Sequence, residues 1–260
     1  MDPVQIRMQG VRKTFGEGDQ AVVALDGIDL EVRRGEFVCL LGPSGCGKST
    51  LLNAIAGFSL PTSGTILVDG VPVTGPGPDR GMVFQEYALF PWMTVAANIA
   101  FGLEIKKVPK ARIKETVDGL LAMLRLTEFR DRFPRDLSGG MRQRVAIARV
   151  LALDSPILLM DEPFGALDAL TRRTLQDELL RVWSAMKKTV IFVTHSLEES
   201  IYLADRTVLM TYRPGTVKLD LPITLERLRD PASPEFNAIK KELGGLLMAE
   251  QQRHVEAEGV

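Results

Sequence analysis

Only two cysteines, Cys39 and Cys46, occur in 260 residues, too few for a disulfide framework and suited to a reducing compartment. No apolar run approaches the ~18 to 20 residues that cross a bilayer as a helix. Charge of one sign is not in excess either. Lys and Arg number 32 against 33 Asp and Glu, a net of -1, which leaves no polycation to neutralise nucleic-acid phosphates. The opening MDPVQIRMQG alternates polar and apolar residues and lacks the apolar core of a secretory signal. Internal repeats and low-complexity tracts are missing as well. What is present is ordinary globular composition, 45% apolar and 25% charged, in a chain long enough to bury a core without staples. Together these shortages predict a soluble cytosolic protein with no nucleic-acid partner.

The apolar pattern changes period along the chain. Val4, Ile6 and Met8 alternate with polar neighbours, as do Ile28, Leu30 and Val32, which predicts half-buried strands joined by a hairpin. FVCLL (37–41) is a continuous apolar run ending in a glycine-rich stretch, the mark of a strand covered on both faces. STLLNAIAG (49–57) reads as a short helix stopped by glycine. Between Phe84 and Pro156 the pattern is mainly helical. Ile113, Val117, Leu120, Leu121 and Leu124 make one stripe between Lys110 and Asp131, and Met141, Val145, Ala148 and Ala152 make another after Ser138. Short buried strands return at ILLM (157–160) and VIFVT (190–194), with a helix between them carrying Leu175, Leu179, Val182 and Met186 on one face. Strands that alternate with helices predict a parallel sheet. Beyond Pro222, Leu243, Leu246 and Leu247 predict one more short helix, and QQRHVEAEGV a frayed end.

Three stretches carry chemistry. GPSGCGKST, from Gly42 to Thr50, stands between a strand and a helix and fits GxxxxGKS. Its glycines let backbone N–H groups turn inward on phosphate oxygens. Lys48 supplies a point charge, Ser49 a hydroxyl for Mg²⁺, and the helix start a positive end. ILLMDEP (157–163) is an apolar strand ending in two carboxylates, where the strands of a parallel sheet meet their ligand crevice. Asp161 suits the Mg²⁺ shell, and Glu162 suits a general base for water. In LSGGMRQR (137–144), Ser138 is an N-cap, and Gly139 and Gly140 leave the first helical N–H groups bare for an anion. Cys46 lies beside Lys48 and a helix start, which predicts a reactive thiolate, whereas burial in FVCLL predicts an inert Cys39.

The order of these elements resembles the nucleotide-binding subunit of an ATP-binding cassette (ABC) transporter, from about Val4 to Tyr212. The resemblance makes GPSGCGKST, with its Gly42, Pro43, Ser44, Gly45, Cys46, Gly47, Lys48, Ser49 and Thr50, the Walker A loop. It makes Gln85 after GMVF the Q-loop, LSGGM the signature and ILLMDE the Walker B strand. Asp168 of GALD matches the D-loop, His195 after VIFVT the switch histidine, and Phe15 the aromatic placed against adenine. It implies ATP and Mg²⁺ as cofactors, with Glu162, His195 and Gln85 catalytic and Ser49, Gln85 and Asp161 toward the metal. It also implies an α/β fold: a P-loop NTPase core with a parallel sheet, an N-terminal antiparallel β subdomain and an inserted helical subdomain. The single ABC ATPase domain would then place its core and β subdomain at 1–84 and 156–212, its helical subdomain at 85–155, and a C-terminal extension at 213–260. Met141 departs from the glutamine that commonly follows Ser-Gly-Gly.

Within the family, GPGPDRGMVFQEYALFPWMTVAANIAFGLE and DEPFGALDALTR are similar to the nitrate, sulfonate and taurine importer group. The resemblance implies a homodimer in the ATP-bound state, a transmembrane permease subunit and a periplasmic or extracellular solute-binding protein. It also implies a peripheral seat on the cytoplasmic face of the inner membrane. Tyr87, Leu89, Phe90, Pro91 and Trp92 suggest a docking groove for the permease. A GTPase would need an Asn-Lys-x-Asp tetrad, which the chain lacks. A chromosome-maintenance ATPase would separate Lys48 from Ser138 by a long coiled coil, and a translation-factor type would carry two cassettes. The ATPase subunit of an exporter or lipid-trafficking system stays open as the alternative.

Overall fold

The structure is a computed structural model and describes residues 3–258. It divides into two compact units, one built from the chain up to Gly77 and from Thr189 onward, the other from Pro78–Lys188. The first unit begins with β1 (Val4–Phe15), β2 (Val22–Arg33), β3 (Phe37–Leu41), α1 (Lys48–Ala56), β4 (Ser63–Val68) and β5 (Val71–Pro72). The second unit holds β6 (Arg80–Val83), α2 (Val95–Ile105), α3 (Lys110–Met123), α4 (Gly139–Ala152), β7 (Ile157–Asp161) and α5 (Ala169–Met186). The chain then returns to the first unit as β8 (Thr189–Thr194), α6 (Leu197–Leu203), β9 (Arg206–Met210), β10 (Val217–Pro222) and α7 (Pro234–Glu258).

In the first unit β1 pairs antiparallel with β2, Ile6 opposite Val32 and Met8 opposite Leu30, and β4 pairs along its other edge. Period-2 alternation therefore puts Ile6, Met8, Ile28, Leu30 and Val32 on one buried face. β3 lies between β8 and β9 and is parallel to both, with β10 antiparallel on β9. Every residue of β3 and β8 is buried, as both faces of a parallel sheet must be. Leu41 and Leu209 pack with Leu247 of α7, and Leu197, Leu219 and Leu246 close around them.

Two expectations fail here. α3 stops at Met123 instead of running toward Asp131, because Arg125 takes a left-handed φ of 56° and Leu126 N–H donates back to Leu121 at 2.7 Å. That is a Schellman-type stop, and a turn of 3₁₀ helix follows at Thr127–Phe129. The tail is helical as far as Glu258 rather than frayed from Gln251, and Gly259 and Val260 lie outside the described residues. α7 spans 25 residues and is pinned at Phe236, Leu243 and Glu250, each completely buried. The end of α6 is fixed by Arg229, whose guanidinium donates to the carbonyls of Ile201, Tyr202 and Ala204. Burial, with Arg227 nearby, pulls its pKa down to about 10, so it stays charged at neutral pH and satisfies helix-terminal carbonyls.

Candidate nucleotide site

In the first unit Leu41 at the end of β3 pairs with Thr194 at the end of β8. Gly42 and His195 therefore leave neighbouring strands, ~4.8 Å apart, at the same carboxyl edge. The loop that follows Gly42 feeds α1, whose N-cap is Gly47 at φ 96°. Only glycine serves there: a Cβ would stand 2.9 Å from the Ala24 carbonyl oxygen and 2.8 Å from Leu25 Cδ2. Lys48 is almost wholly buried. Its Nζ donates to the carbonyls of Gly42 at 2.9 Å and Pro43 at 2.8 Å and lies 3.7 Å from Cys46 Sγ. An ammonium thus sits inside the ring the backbone makes, at the positive end of α1. Ser44, Gly45 and Ser49 are exposed beside it, Gly47 and Thr50 are half-buried, and Pro43 is buried.

The reactive-thiolate expectation for Cys46 is overturned. Its side chain is completely buried, and that burial pushes the thiol up while Lys48 only partly opposes it. Cys39 is raised further, again by burial first. His195 is exposed, and a small network holds the chain around it. Thr194 Oγ1 donates to buried Glu199 at 2.6 Å and accepts from Ser196 N–H at 2.9 Å, while Ser196 Oγ caps α6 through Glu199 N–H. Phe15 ends β1, 46% exposed, with Lys13 Nζ 5.2 Å from its ring centre.

In the second unit β6 and β7 run parallel with Val83 opposite Met160. Gln85 and the pair Asp161–Glu162 accordingly follow adjacent strand ends. Gln85 is exposed and both carboxylates are half-buried. Glu162 takes a left-handed φ of 42°, a strained backbone of the kind found at functional sites. Its carbonyl accepts from Gly165 N–H at 3.1 Å in the turn toward Asp168. Asp168 caps α5 by accepting from Thr171 N–H at 3.0 Å, and that bond holds its carboxyl below the usual range. Ser138 caps α4 through Met141 N–H. Ser138, Gly140, Met141, Arg144, Leu170 and Thr171 line a cleft of about 450 Å³ at that helix start.

The second unit also brings three motifs together. A Cβ on Gly139 would meet Leu167 at 3.3 Å and the Tyr87 hydroxyl at 3.4 Å, and one on Gly140 would meet Thr171. Tyr87 lies along α4, with Arg142 over its ring and its carbonyl accepting from Arg149 Nη2 at 3.2 Å. Arg149 Nη1 also donates to the Ala88 carbonyl at 2.6 Å. Tyr87 and Ala88 both have left-handed φ, and the guanidinium holds this strained turn shut. Periodicity cannot reveal Arg149, a cation among Ala and Val near the end of a helix. In the aromatic loop, Phe90 packs on Phe101 with ring centres 4.6 Å apart, while Trp92 is 71% exposed.

A strand, a glycine loop closing on a buried lysine, and a helix, with a second strand ending in carboxylates, define a P-loop nucleotide-binding protein. The ABC transporter family model matches residues 25–165, and the chain belongs to that family, as an ATPase cassette. It is 52% identical to an uncharacterised ABC transporter ATP-binding protein of Methanocaldococcus jannaschii, over 95% of this chain and 92% of that one. It is 45% identical to the nitrate import ATP-binding protein of Synechocystis, over 98% and 99% of the two chains. With the taurine import ATP-binding protein of Roseobacter denitrificans it shares 44% identity over 94% and 93%. A dimeric ATP-binding cassette solved in a post-hydrolysis state with ADP and Pi superposes with a TM-score of 0.75 at 32% identity, over 85% of this chain and all of that one.

Proposed function

We propose that the chain is the ATP-hydrolysing subunit of a membrane importer for a small oxyanion or organic anion, of the nitrate, sulfonate or taurine kind. The observation that carries this reading is the glycine loop closed on buried Lys48, in a chain whose import-named relatives match it nearly end to end. Gly42 to Thr50 hold the phosphates, with Phe15 against the base. Ser49, Gln85 and Asp161 offer a hydroxyl, an amide oxygen and one carboxylate. Among the described residues no cluster of three or more His, Cys, Asp or Glu side chains forms a cage. A hard-oxygen set with a single carboxylate fits Mg²⁺, which is held through one or two carboxylates and fills much of its shell with substrate phosphate and water. Held by these residues, Mg²⁺ would supply charge neutralisation for the phosphate being transferred.

Glu162 takes the proton of the attacking water, and His195 steadies the γ-phosphate as its bond breaks. A second copy, turned head to tail, presents Ser138, Gly139 and Gly140 to that phosphate, with Asp168 at the same seam. Two ATP molecules are thereby buried between two chains, and hydrolysis removes the anion that joins them. Gln85 and the loop to Trp92 pass the separation to a permease subunit at the cytoplasmic face of the inner membrane. A solute-binding protein on the other side delivers the cargo. Among the described residues no helix is long and apolar enough to cross a membrane.

Purified chain and its Glu162→Gln variant test the core of this reading. The variant should bind Mg-ATP as tightly as the native chain, turn over roughly 10²-fold more slowly, and accumulate as an ATP-dependent dimer in size-exclusion chromatography. Native turnover in Glu162→Gln removes the base assignment. Co-expression with candidate permease subunits, followed by uptake of nitrate, taurine and alkanesulfonates in vesicles, tests the direction and class of cargo.

A further inference from the structure

The turn between β9 and β10, Thr211–Thr216, is built against the glycine loop. Arg213 Nε donates to the Gly45 carbonyl at 3.1 Å, and a Cβ on Gly45 would stand 3.3 Å from Arg213 Nη2. Two residues on, a Cβ at Gly215 would fall 2.2 Å from the Cys46 carbonyl oxygen. Met210, the last residue of β9, backs Gly42 in the same way, its carbonyl oxygen 3.2 Å from a Gly42 Cβ. The loop thus rests on one turn at Gly42, Gly45 and Cys46. Thr211 Oγ1 stiffens that turn by donating to Pro214 at 2.8 Å and accepting from Thr216 N–H at 2.9 Å. Gly215 ties it to β2, donating to Ala24 at 2.9 Å and accepting from Asp26 at 3.0 Å.

The other side of the turn is gripped by α7. Tyr212 N–H donates to Oε2 of the fully buried Glu250 at 2.8 Å. Lys218 and Arg253 engage the second oxygen. The Tyr212 ring packs against His254, tilted by 45° with centres 4.6 Å apart, and the Arg213 guanidinium lies 5.9 Å from the Tyr212 ring centre. A continuous chain of contacts therefore runs from the C-terminal helix to the Gly45 peptide. Gly45 and Gly47 both have positive φ, and a loop with that freedom loses entropy when it closes on phosphate. A donor that fixes the Gly45 peptide beforehand removes part of that cost.

We propose that Arg213 is a positioning residue for the phosphate loop and that α7, through Glu250 and Tyr212, sets where Arg213 stands. The C-terminal segment thereby tunes this chain's affinity for ATP. The inference rests on reading Gly42 to Thr50 as the phosphate loop. The worth of one hydrogen bond sets the expected scale at about fivefold in affinity.

Arg213→Met and Arg213→Gln both remove the charge. Methionine places a methyl group where Nε stands, and glutamine places an N–H donor there. Full-length chains are titrated with a fluorescent Mg-ATP analogue and assayed for KM and kcat of Mg-ATP hydrolysis. Arg213→Met should bind about fivefold more weakly and raise KM alike, with kcat within twofold of native and an unchanged Tm. Arg213→Gln should recover most of the affinity. Glu250→Met should reproduce the loss and add nothing in the Arg213→Met background, because both act through one bond. If Glu250→Met does not fold, Glu250→Gln, which keeps an acceptor for Tyr212, should show a smaller loss that again vanishes in that background. Native affinity in Arg213→Met, or glutamine no better than methionine, overturns the positioning role, and additive losses overturn the link to α7. A native chain that binds no Mg-ATP would instead remove the reading of the loop itself.

Discussion

A single methyl group at Gly47 tests the loop geometry. Gly47 has φ 96°, which costs an L-residue ~1–2 kcal/mol. Its new Cβ would also stand 2.9 Å from the backbone oxygen of Ala24. That oxygen is backbone, and the other contact, Leu25 Cδ2 at 2.8 Å, belongs to a fully buried side chain, so the loop or β2 must shift, at ~1–3 kcal/mol. Gly10→Ala is the matched control, with φ 55° and nothing within 4 Å of the added carbon. Both variants carry a left-handed penalty, larger at 96° than at 55°, and only Gly47→Ala adds the close approach. At ~2 kcal/mol for that overlap, Gly47→Ala should melt about 4–8 °C below Gly10→Ala. Should the loop yield instead of the fold, the same energy appears as a roughly 30-fold loss of Mg-ATP affinity. Thermal denaturation by circular dichroism and titration with Mg-ATP read the two outlets. If Gly47→Ala melts with Gly10→Ala and also binds Mg-ATP like it, the close approach of loop and β2 is not a property of the protein.

Trp92→Ala should leave Tm and ATP turnover unchanged and weaken co-purification with the permease, because Trp92 is 71% exposed; undiminished assembly would remove the docking role. Both thiols should resist a small maleimide in the native chain and react only on unfolding, since burial raises each. Rapid labelling of Cys46 before unfolding, found by peptide mapping, would contradict its packing. Burial acts to raise the Glu250 pKa, but hydrogen bonds from Lys218 and the Tyr212 N–H outweigh it and leave the carboxyl below its ordinary value. Its contribution to α7 docking is therefore complete above the unfolded pKa of ~4.3 and is lost as pH falls through the lower folded value. Proteolysis of the tail between pH 6 and pH 3 should show protection shrinking at the acid end in the native chain and not in Glu250→Leu.

The phosphate loop was legible in the sequence because its constraints are local. Gly47 must be glycine for its own φ, and Lys48 reaches carbonyls only five and six residues away. Strand ends were equally plain, since FVCLL and ILLM are apolar at every position and stop where the carboxylates or glycines begin. What escaped notice lies in pairings between residues far apart. Cys46 looked reactive from its neighbours in sequence, yet its thiol is completely buried, in a loop backed by Gly215 and Met210, more than 160 positions away. The tail looked frayed because QQRHVEAEGV is polar. Its helix is held by a buried carboxylate that answers Lys218 and Tyr212, which composition counts as one more exposed charge. Arg149 was silent for the same reason, as its partners are carbonyls rather than side chains.

Tyr87 measures out one face of α4. Its hydroxyl stands by Gly139 in the first turn and its carbonyl is held from the last turn by Arg149. Ten residues of helix span ~15 Å, and this one side chain, with the arginine reaching back to it, bridges most of that span. The Tyr87 carbonyl lies only two residues past Gln85, so one residue joins the Gly139 end of α4 to the stretch after Gln85. Loop and helix are therefore tied at two points, the tyrosine hydroxyl beside Gly139 and the guanidinium of Arg149. A shorter residue at position 87 would leave both ends intact and disconnect them.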